Sequence, residues 1–319
     1  MTFRSTAVAG SAALALLLFA PAAAKAQDAP PPIKIGDMVA SGSIRARAYN
    51  WDWFGSDAAG EYSYPAALMR LSLAKSTKTW DWQLEVAAPM MGGLPDTAVQ
   101  AAPKGQLGLG AAYYAANGNS TNNASLFVKQ AAVRFKGLGG IAGQSLKIGR
   151  MEFAEGGEMA PKDPTLAAVK RDRINQRLIG NFGFSDIGRS FDGVQYTLAN
   201  ANANFTAFAA RVTQGNFQVD GWGDLDATIF YGSYTRQVAS GNMAGEWRLF
   251  GFGYRDGRTS VLKTDNRTAA ARTADTEAIT LGNWGGHWVE TVKTGGGPVD
   301  VMLWGCLLYT SPSPRDQRG

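Results

Sequence analysis

Alternation of apolar and polar residues dominates the chain. In residues 66–75 every second residue is apolar, while Arg70 and Ser72 fall on the opposite face of an extended strand. Residues 79–87 repeat this pattern after the short segment 76–78, which has the length of a tight turn. A period of two on both sides of a tight turn predicts a β-hairpin.

Further segments along the chain carry the same signal. Each is roughly ten residues long and ends near Gly, Asn, Asp or Ser, which favour turns. They are 43–51, 106–113, 126–136, 145–153, 191–199, 204–212, 226–236, 246–255, 276–284 and 298–305. The chain is therefore predicted to be all-β, with about twelve antiparallel strands. Residues 88–124 and 154–190 stand out as long irregular segments.

The composition narrows the class of protein. With 45% hydrophobic residues the chain is too apolar to be disordered throughout. No apolar run of 18 residues follows residue 26, which excludes a helical membrane protein. One histidine and one cysteine leave little for a zinc site, a cysteine nucleophile or a Ser-His-Asp triad, so we expect no metal and no cofactor.

Residues 1–26 have the three parts of a secretory signal peptide. Arg4 supplies a basic start, residues 12–20 supply an apolar core, and Ala24-Lys25-Ala26 is a small-x-small cleavage site. Residues 27–40 contain a run of prolines and are expected to form a periplasmic lead. The folded β-domain is expected to occupy residues 41–305.

Residues 306–319 have a different character. Cys-Leu-Leu-Tyr-Thr-Ser-Pro-Ser-Pro-Arg-Asp, residues 306–316, matches one translated reading frame of a transposase-type sequencing adapter. We interpret residues 306–319 as an adapter-derived tail without regular structure, and the gene as truncated near Gly305. Without the two terminal segments the net charge falls from +5 to +2, so no concentrated basic surface for nucleic acid remains.

Two all-β architectures fit the alternation: a soluble sandwich or solenoid, and a transmembrane antiparallel barrel of the outer-membrane type. The strands have the length needed to cross a bilayer at a tilt. Aromatic residues such as Trp80 and Trp247 concentrate at strand ends, and tight turns alternate with long loops. These three features favour the barrel and a location in the outer membrane.

Three stretches resemble the alginate-export family of outer-membrane porins. They are Leu146-Lys-Ile-Gly-Arg-Met-Glu-Phe153, Lys170-Arg-Asp-Arg-Ile-Asn-Gln-Arg177 and Gly188-Arg-Ser-Phe-Asp-Gly-Val-Gln-Tyr196, in the order in which the family has them. The resemblance covers most of residues 40–305 and is most specific over 145–196. It implies a barrel of about 16–18 strands, only part of which is present here. It also implies that residues 154–190 fold toward the lumen.

Arginines are the residues expected to line that lumen. A guanidinium stays charged and binds carboxylates bidentately, so it suits an anionic, carboxylated solute. Parity with the apolar faces directs four arginines away from lipid: Arg45, Arg47, Arg70 and Arg211.

Six more arginines belong to the candidate pore lining for other reasons. A charge facing lipid at mid-depth would cost about 2–4 kcal/mol, which argues that Arg134 and Arg150 face inward. The resemblance adds the arginines of residues 154–190, which are Arg171, Arg173, Arg177 and Arg189. Each could instead be an ordinary arginine, solvated or paired with a carboxylate.

The expected function is an outer-membrane porin for anionic solutes, such as an alginate-like poly- or oligosaccharide. Its expected partners are that solute, outer-membrane lipid and periplasmic export components. A β-rich envelope enzyme acting on polysaccharide, a general porin and a structural or adhesive barrel are the alternatives. Glu152, Glu155 and Glu158 lie near arginines, which favours ionised, paired carboxylates over a glycosidase acid, so no enzyme is expected. His287, beside Trp288, is expected to be an interfacial aromatic.

Overall fold

The computed structural model describes residues 33–52, 58–101, 104–259, 261, 263 and 267–311. The predicted signal peptide, residues 1–26, lies outside these residues, as do residues 312–319 of the predicted tail. No helix within the described ranges is long and apolar enough to span a membrane.

Antiparallel strands account for most of the described chain. The thirteen strands seen there are β1 (Ile33–Ile35), β2 (Met38–Asp52), β3 (Glu61–Ser76), β4 (Trp80–Met91), β5 (Asn123–Ala124), β6 (Phe127–Lys136), β7 (Gln144–Met151), β8 (Arg189–Ala199), β9 (Ala203–Gly215), β10 (Asp224–Ser240), β11 (Met243–Asp256), β12 (Ile279–Thr294) and β13 (Gly297–Ser311). Three α-helices lie in loops: α1 (Leu109–Ala116), α2 (Pro164–Arg173) and α3 (Ala269–Ala274). The predicted all-β class is confirmed.

The strands form one sheet in which neighbours in sequence are neighbours in space. Its order runs from β1 to β13 without a crossover, and only the two-residue β5 lies off this path, paired with β4. In the described part of the chain β1 pairs only with β2, and β13 only with β12, so the sheet has two free edges. This up-and-down order is that of outer-membrane barrels.

Two predictions of secondary structure in the N-terminal half differ from the structure. The strand predicted at 106–113 is wrong, because an alanine-rich stretch there forms α1 and alanine has the highest helix propensity. The lead segment contains β1 and the start of β2, so strands begin before residue 41.

The expectation that residues 306–319 form no regular structure is wrong for the part described. Residues 306–311 extend β13 and pair with β12 as far as Thr280. Ladder hydrogen bonds join backbone groups, so any extended, β-prone segment can add to a free edge. The pairing therefore does not test where this segment comes from. Its derivation from a sequencing adapter stays a prediction.

The sheet has two unlike faces, here called outer and inner. The outer face exposes large apolar side chains, including Ile44 (78% exposed), Phe230 and Leu249 (59% each). The inner face carries the buried aromatic residues Phe208 and Tyr231, which pack with Phe153. Leu178 and Ile179 pack against these aromatic residues, so the segment 154–188 contacts the inner face, as the resemblance implies.

Candidate functional site

Strand register fixes which arginines lie on the inner face. Residues directly opposite each other on paired antiparallel strands point to the same side. Arg45 lies opposite Leu68 and Arg47 opposite Ala66, and both of these partners are buried. Arg70 belongs to the same face because it lies two residues beyond Leu68 on β3. These arginines are on the inner face, as predicted.

Arg45 and Arg47 bind a loop that crosses the inner face. Arg45 donates to the carbonyls of Gly183 and Ser185 at 3.2 and 2.5 Å. Arg47 donates to the carbonyl of Phe184 at 2.9 Å. Both guanidinium groups lie within 3.5 Å of the buried Asp186 carboxylate. About one third of each arginine side chain stays exposed, so each keeps access to solvent.

Arg70 forms the centre of a second cluster, which lies nearer the short turns than Arg45 and Arg47 do. Its Nε donates to Glu85 Oε1 at 2.7 Å, and its Nη2 lies 3.2 Å from Glu152. Lys129, which is 1% exposed, lies 3.6 Å from the same Glu152 carboxylate. Two cations and two carboxylates share this cluster, so its charges largely balance.

Arg134 lies nearer the short turns, still on the inner face. Its Nε donates to Asp81 Oδ2 at 2.7 Å, and Lys136 Nζ lies 2.5 Å from Asp81 Oδ1. Lys147, directly opposite Arg134, forms no ion pair with any residue that the structure describes. Arg134 and Lys147 line a cavity of about 330 Å³. Three cations therefore face one carboxylate here.

The inner wall of β2–β7 carries an excess of positive charge. Its described strand residues include seven inward-facing basic side chains, six of which contact four carboxylates between them. The basic ones are Arg45, Arg47, Arg70, Lys129, Arg134, Lys136 and Lys147. Such an arrangement favours anions near the wall.

Arg150 and Arg211 are corrections, because both lie on the outer face. Arg211 shares its face with Ala209, which is opposite the exposed Phe230. Arg150 lies two residues beyond the exposed Ile148. The prediction for Arg150 assumed that an outward charge would lie at mid-depth in lipid, but Arg150 lies at the long-loop end of β7 and pairs with Asp192. The prediction for Arg211 assumed that the apolar side of each strand faces lipid. On β9 the larger apolar side chains face inward, so parity with them directs Arg211 outward.

The four arginines of residues 154–190 take different positions. Arg171 pairs with the adjacent Asp172, and Arg173 is exposed, both at the end of α2. Arg177 lies 5.5 Å from the ring of Trp304, and Arg189 lies 4.9 Å from the ring of Phe182. They do not converge on one point with the arginines of β2–β7.

Sequence reasoning missed Arg248, the side chain that anchors residues 154–158 to the wall. It is 1% exposed, and its Nη1 and Nη2 donate to Glu155 and Glu158 at 2.8 and 2.7 Å. Tyr231 donates its hydroxyl to Glu158 at 2.6 Å. Burial raises the pKa of Glu155 against the opposing effect of Arg248. The predicted pairing of these glutamates is seen, but with an arginine from β11.

A second buried ion pair anchors α2. Lys170 Nζ lies 2.8 Å from Glu246, and it also donates to the carbonyl of Met159 at 2.7 Å. Burial lowers the pKa of Lys170.

His287 lies 3.2 Å from the same Glu246 and is buried on the inner face, so its expected place at the interface is wrong.

Comparisons with known proteins identify similar folds only. No family model and no curated protein matches the chain. Among solved structures, the chain is similar to the outer membrane protein opdK from Pseudomonas aeruginosa, with 12% identity and a TM-score of 0.39, covering 86% of this chain and 63% of that one. It is also similar to Pseudomonas putida OprB, with 12% identity and a TM-score of 0.42 over 84% and 69% of the two chains. For Acinetobacter baumannii OccAB1 the values are 11%, 0.40, 85% and 66%. The chain thus spans about two thirds of the length of these proteins.

Proposed function

We propose that the protein is an outer-membrane porin. The observation that carries this proposal is the outer face of β8–β11, which carries no charged side chain between the row of Asp192, Arg211 and Arg255 and the single Arg236 near the short turns. On β10 this stretch lies between Asp226 and Arg236, and on β9 it extends from Arg211 toward the turn. Asp226 and Arg236 are ten residues apart on β10, which corresponds to about 33 Å along an extended strand and to about 25 Å of height at a tilt of about 40°. An apolar band about 25 Å tall is typical of outer-membrane barrels.

The solutes that best fit the inner wall are anions. Seven cations against four carboxylates on β2–β7 lower the barrier for negative charge. The accessible guanidinium groups of Arg45 and Arg47 suit carboxylates, which they can bind with two parallel hydrogen bonds. The motifs of residues 146–196 resemble those of alginate-export porins, which supports an alginate-like poly- or oligosaccharide as the solute.

Ion selectivity tests the porin proposal. Replacing Arg45, Arg70 and Arg134 together by Gln removes three positive charges, leaves Glu85 without its cation and leaves Asp81 with Lys136 alone. We expect the ratio of anion to cation permeability, obtained from the reversal potential across a planar bilayer under a salt gradient, to fall several-fold. The shift should be larger at 0.01 M salt, where the screening length is about 30 Å, than at 0.15 M, where it is about 8 Å.

The matched control is the outward-facing variant Arg211→Gln with Arg236→Gln, which should conduct like the wild type. A cation-selective wild type, or equal shifts in both variants, contradicts the anion pathway. Oligomers of alginate and of a neutral sugar of equal length then test the solute. Block by the alginate oligomer alone, lost in the triple variant, is the expected result.

A further inference from the structure

A row of charged side chains crosses the outer face at the long-loop end. Register places Arg150, Asp192, Arg211, Thr228 and Arg255 directly opposite one another on five consecutive strands, β7 to β11. The row thus spans five strands at one level of the sheet. Opposed positions share a face, so all five side chains point away from the inner wall.

The arginines of this row differ in how many of their N–H donors are bound to other residues of the chain. Arg150 is 13% exposed, and it binds Asp192 with two nitrogens and the carbonyl of Gly221 with the third. Arg211 is 51% exposed; its Nε lies 2.6 Å from Asp224 and its Nη2 3.4 Å from Asp226, so its Nη1 has no partner among the described residues. Arg255 is exposed and forms no ion pair with any described residue. Arg211 and Arg255 therefore keep donors for an external ligand.

The row lies directly beside the apolar band of the outer face. The next outward residues toward the short turns are Val194, Ala209, Phe230 and Gly253, none of which is polar. Trp222, beside Arg150, is 55% exposed and donates its indole N–H to a backbone carbonyl at 2.7 Å. Tryptophan is enriched where the apolar core of a membrane meets the headgroups. The row lies at that boundary.

We propose that Arg211 and Arg255 bind the phosphate groups of a phosphorylated lipid in the surrounding leaflet. A guanidinium presents paired N–H donors that match phosphate oxygens. The carboxylate of Asp224 holds the Arg211 guanidinium at the surface of the sheet, and Thr228 separates the two arginines by one strand. This inference rests on the proposed membrane location.

Lipid binding by the purified full chain in a mild detergent tests the proposal without any measurement of conduction. The probes are diphosphorylated lipid A and the same lipid without phosphate, with bound copies counted by native mass spectrometry. We expect Arg211→Gln with Arg255→Gln to weaken binding of the phosphorylated probe at least tenfold. Binding of the dephosphorylated probe should not change.

Two further variants make the result decisive. Arg236→Gln removes an exposed outward arginine from the opposite end of β10, and it should bind both probes like the wild type. Arg211→Lys with Arg255→Lys keeps the charge and should recover part of the affinity. Equal binding by wild type and the Gln variant, or equal loss in Arg236→Gln, overturns the proposal. Displacement of the lipid by an equal concentration of inorganic phosphate overturns the assignment to a lipid.

Discussion

The inward charged side chains have different partners on the inner wall of β2–β7 and on the inner wall of β8–β12. In the first wall, Arg70 and Arg134 pair with Glu85 and Asp81 of neighbouring strands, while Arg45 and Arg47, nearer the long loops, pair with Asp186 of the loop. In the second wall, the charged residues of the strands pair with a loop. Arg248 binds Glu155, and Glu246 binds Lys170 of α2.

The difference follows from what covers each wall. Phe208, Val212 and Phe250 make the second wall apolar, and residues 154–188 bury it. A charge beneath that cover has no access to water, so its partner must come from the covering segment itself. The arginines of β2–β7 stay partly exposed and need less compensation. We infer that the partly exposed cations of the first wall are accessible to solutes, although Arg45 and Arg47 also hold the loop, whereas the buried charges of the second wall only hold the loop.

Removing Arg248 should have the largest effect on stability. Arg248→Ala leaves Glu155 and Glu158 buried without their cation, and breaking a buried pair in this way costs about 3–5 kcal/mol. Denaturant unfolding in detergent measures the loss. The loop should also become sensitive to protease near Lys162, which lies between the two anchors.

A compensated variant controls for simple loss of packing. Arg248→Met with Glu155→Gln and Glu158→Gln removes all three charges and keeps the volume, so most of the lost stability should return. A loss below about 1 kcal/mol in Arg248→Ala would show that the buried network does not hold the loop.

Alternation predicted the strands well because each buries one face and exposes the other. The pattern at 79–87 corresponds to β4, and that at 204–212 lies within β9. Alternation shows that the two faces differ, but not which of them faces inward. The placement of Arg45 and Arg70 was therefore right and that of Arg211 wrong by the same reasoning.

Arg248 shows what the sequence could have revealed. It shares the parity of Phe250, Phe252 and Tyr254, a face that the sequence marks as apolar. A charge on such a face needs a buried partner, which was a usable signal. The partner could not be predicted, because Glu155 is 93 residues away and reaches Arg248 only through the path of a long loop.

Removing Arg70 should have a smaller effect, confined to the first wall. Arg70→Ala leaves the buried Glu85 without its closest cation, and removing a charged hydrogen-bond partner costs about 1–3 kcal/mol. Protease sensitivity near Lys162 should match the wild type, since Arg70 does not contact residues 159–173. A variant that loosens this loop would contradict the separation of the two walls.

The smallest effect is expected at the start of α2, where the covering segment meets the short turns. Asp163 caps this helix, because its Oδ1 accepts from the backbone N–H groups of Thr165 and Leu166 at 2.9 and 3.0 Å. Asp163→Ala removes this cap and should cost about 1 kcal/mol. Asp163→Asn keeps the acceptor and loses only the charge near Lys293, so it should unfold nearly like the wild type.

The pH dependence separates the cap from the rest of the loop. The backbone N–H of Leu166 and the ammonium of Lys293 hold the pKa of Asp163 below its usual 3.8. A lowered pKa in the folded state stabilises the protein above the pKa of the unfolded chain, and this contribution is lost as the pH falls through the folded value. As the pH falls from 7 through the folded pKa of Asp163, the wild type should therefore lose the part of this contribution that depends on the charge, and its free energy of unfolding should approach that of Asp163→Asn rather than that of Asp163→Ala. If the difference between the wild type and Asp163→Asn does not shrink as the pH falls, the charge of Asp163 does not stabilise α2, and the anchoring of the segment depends on the buried pairs of Arg248 and Lys170.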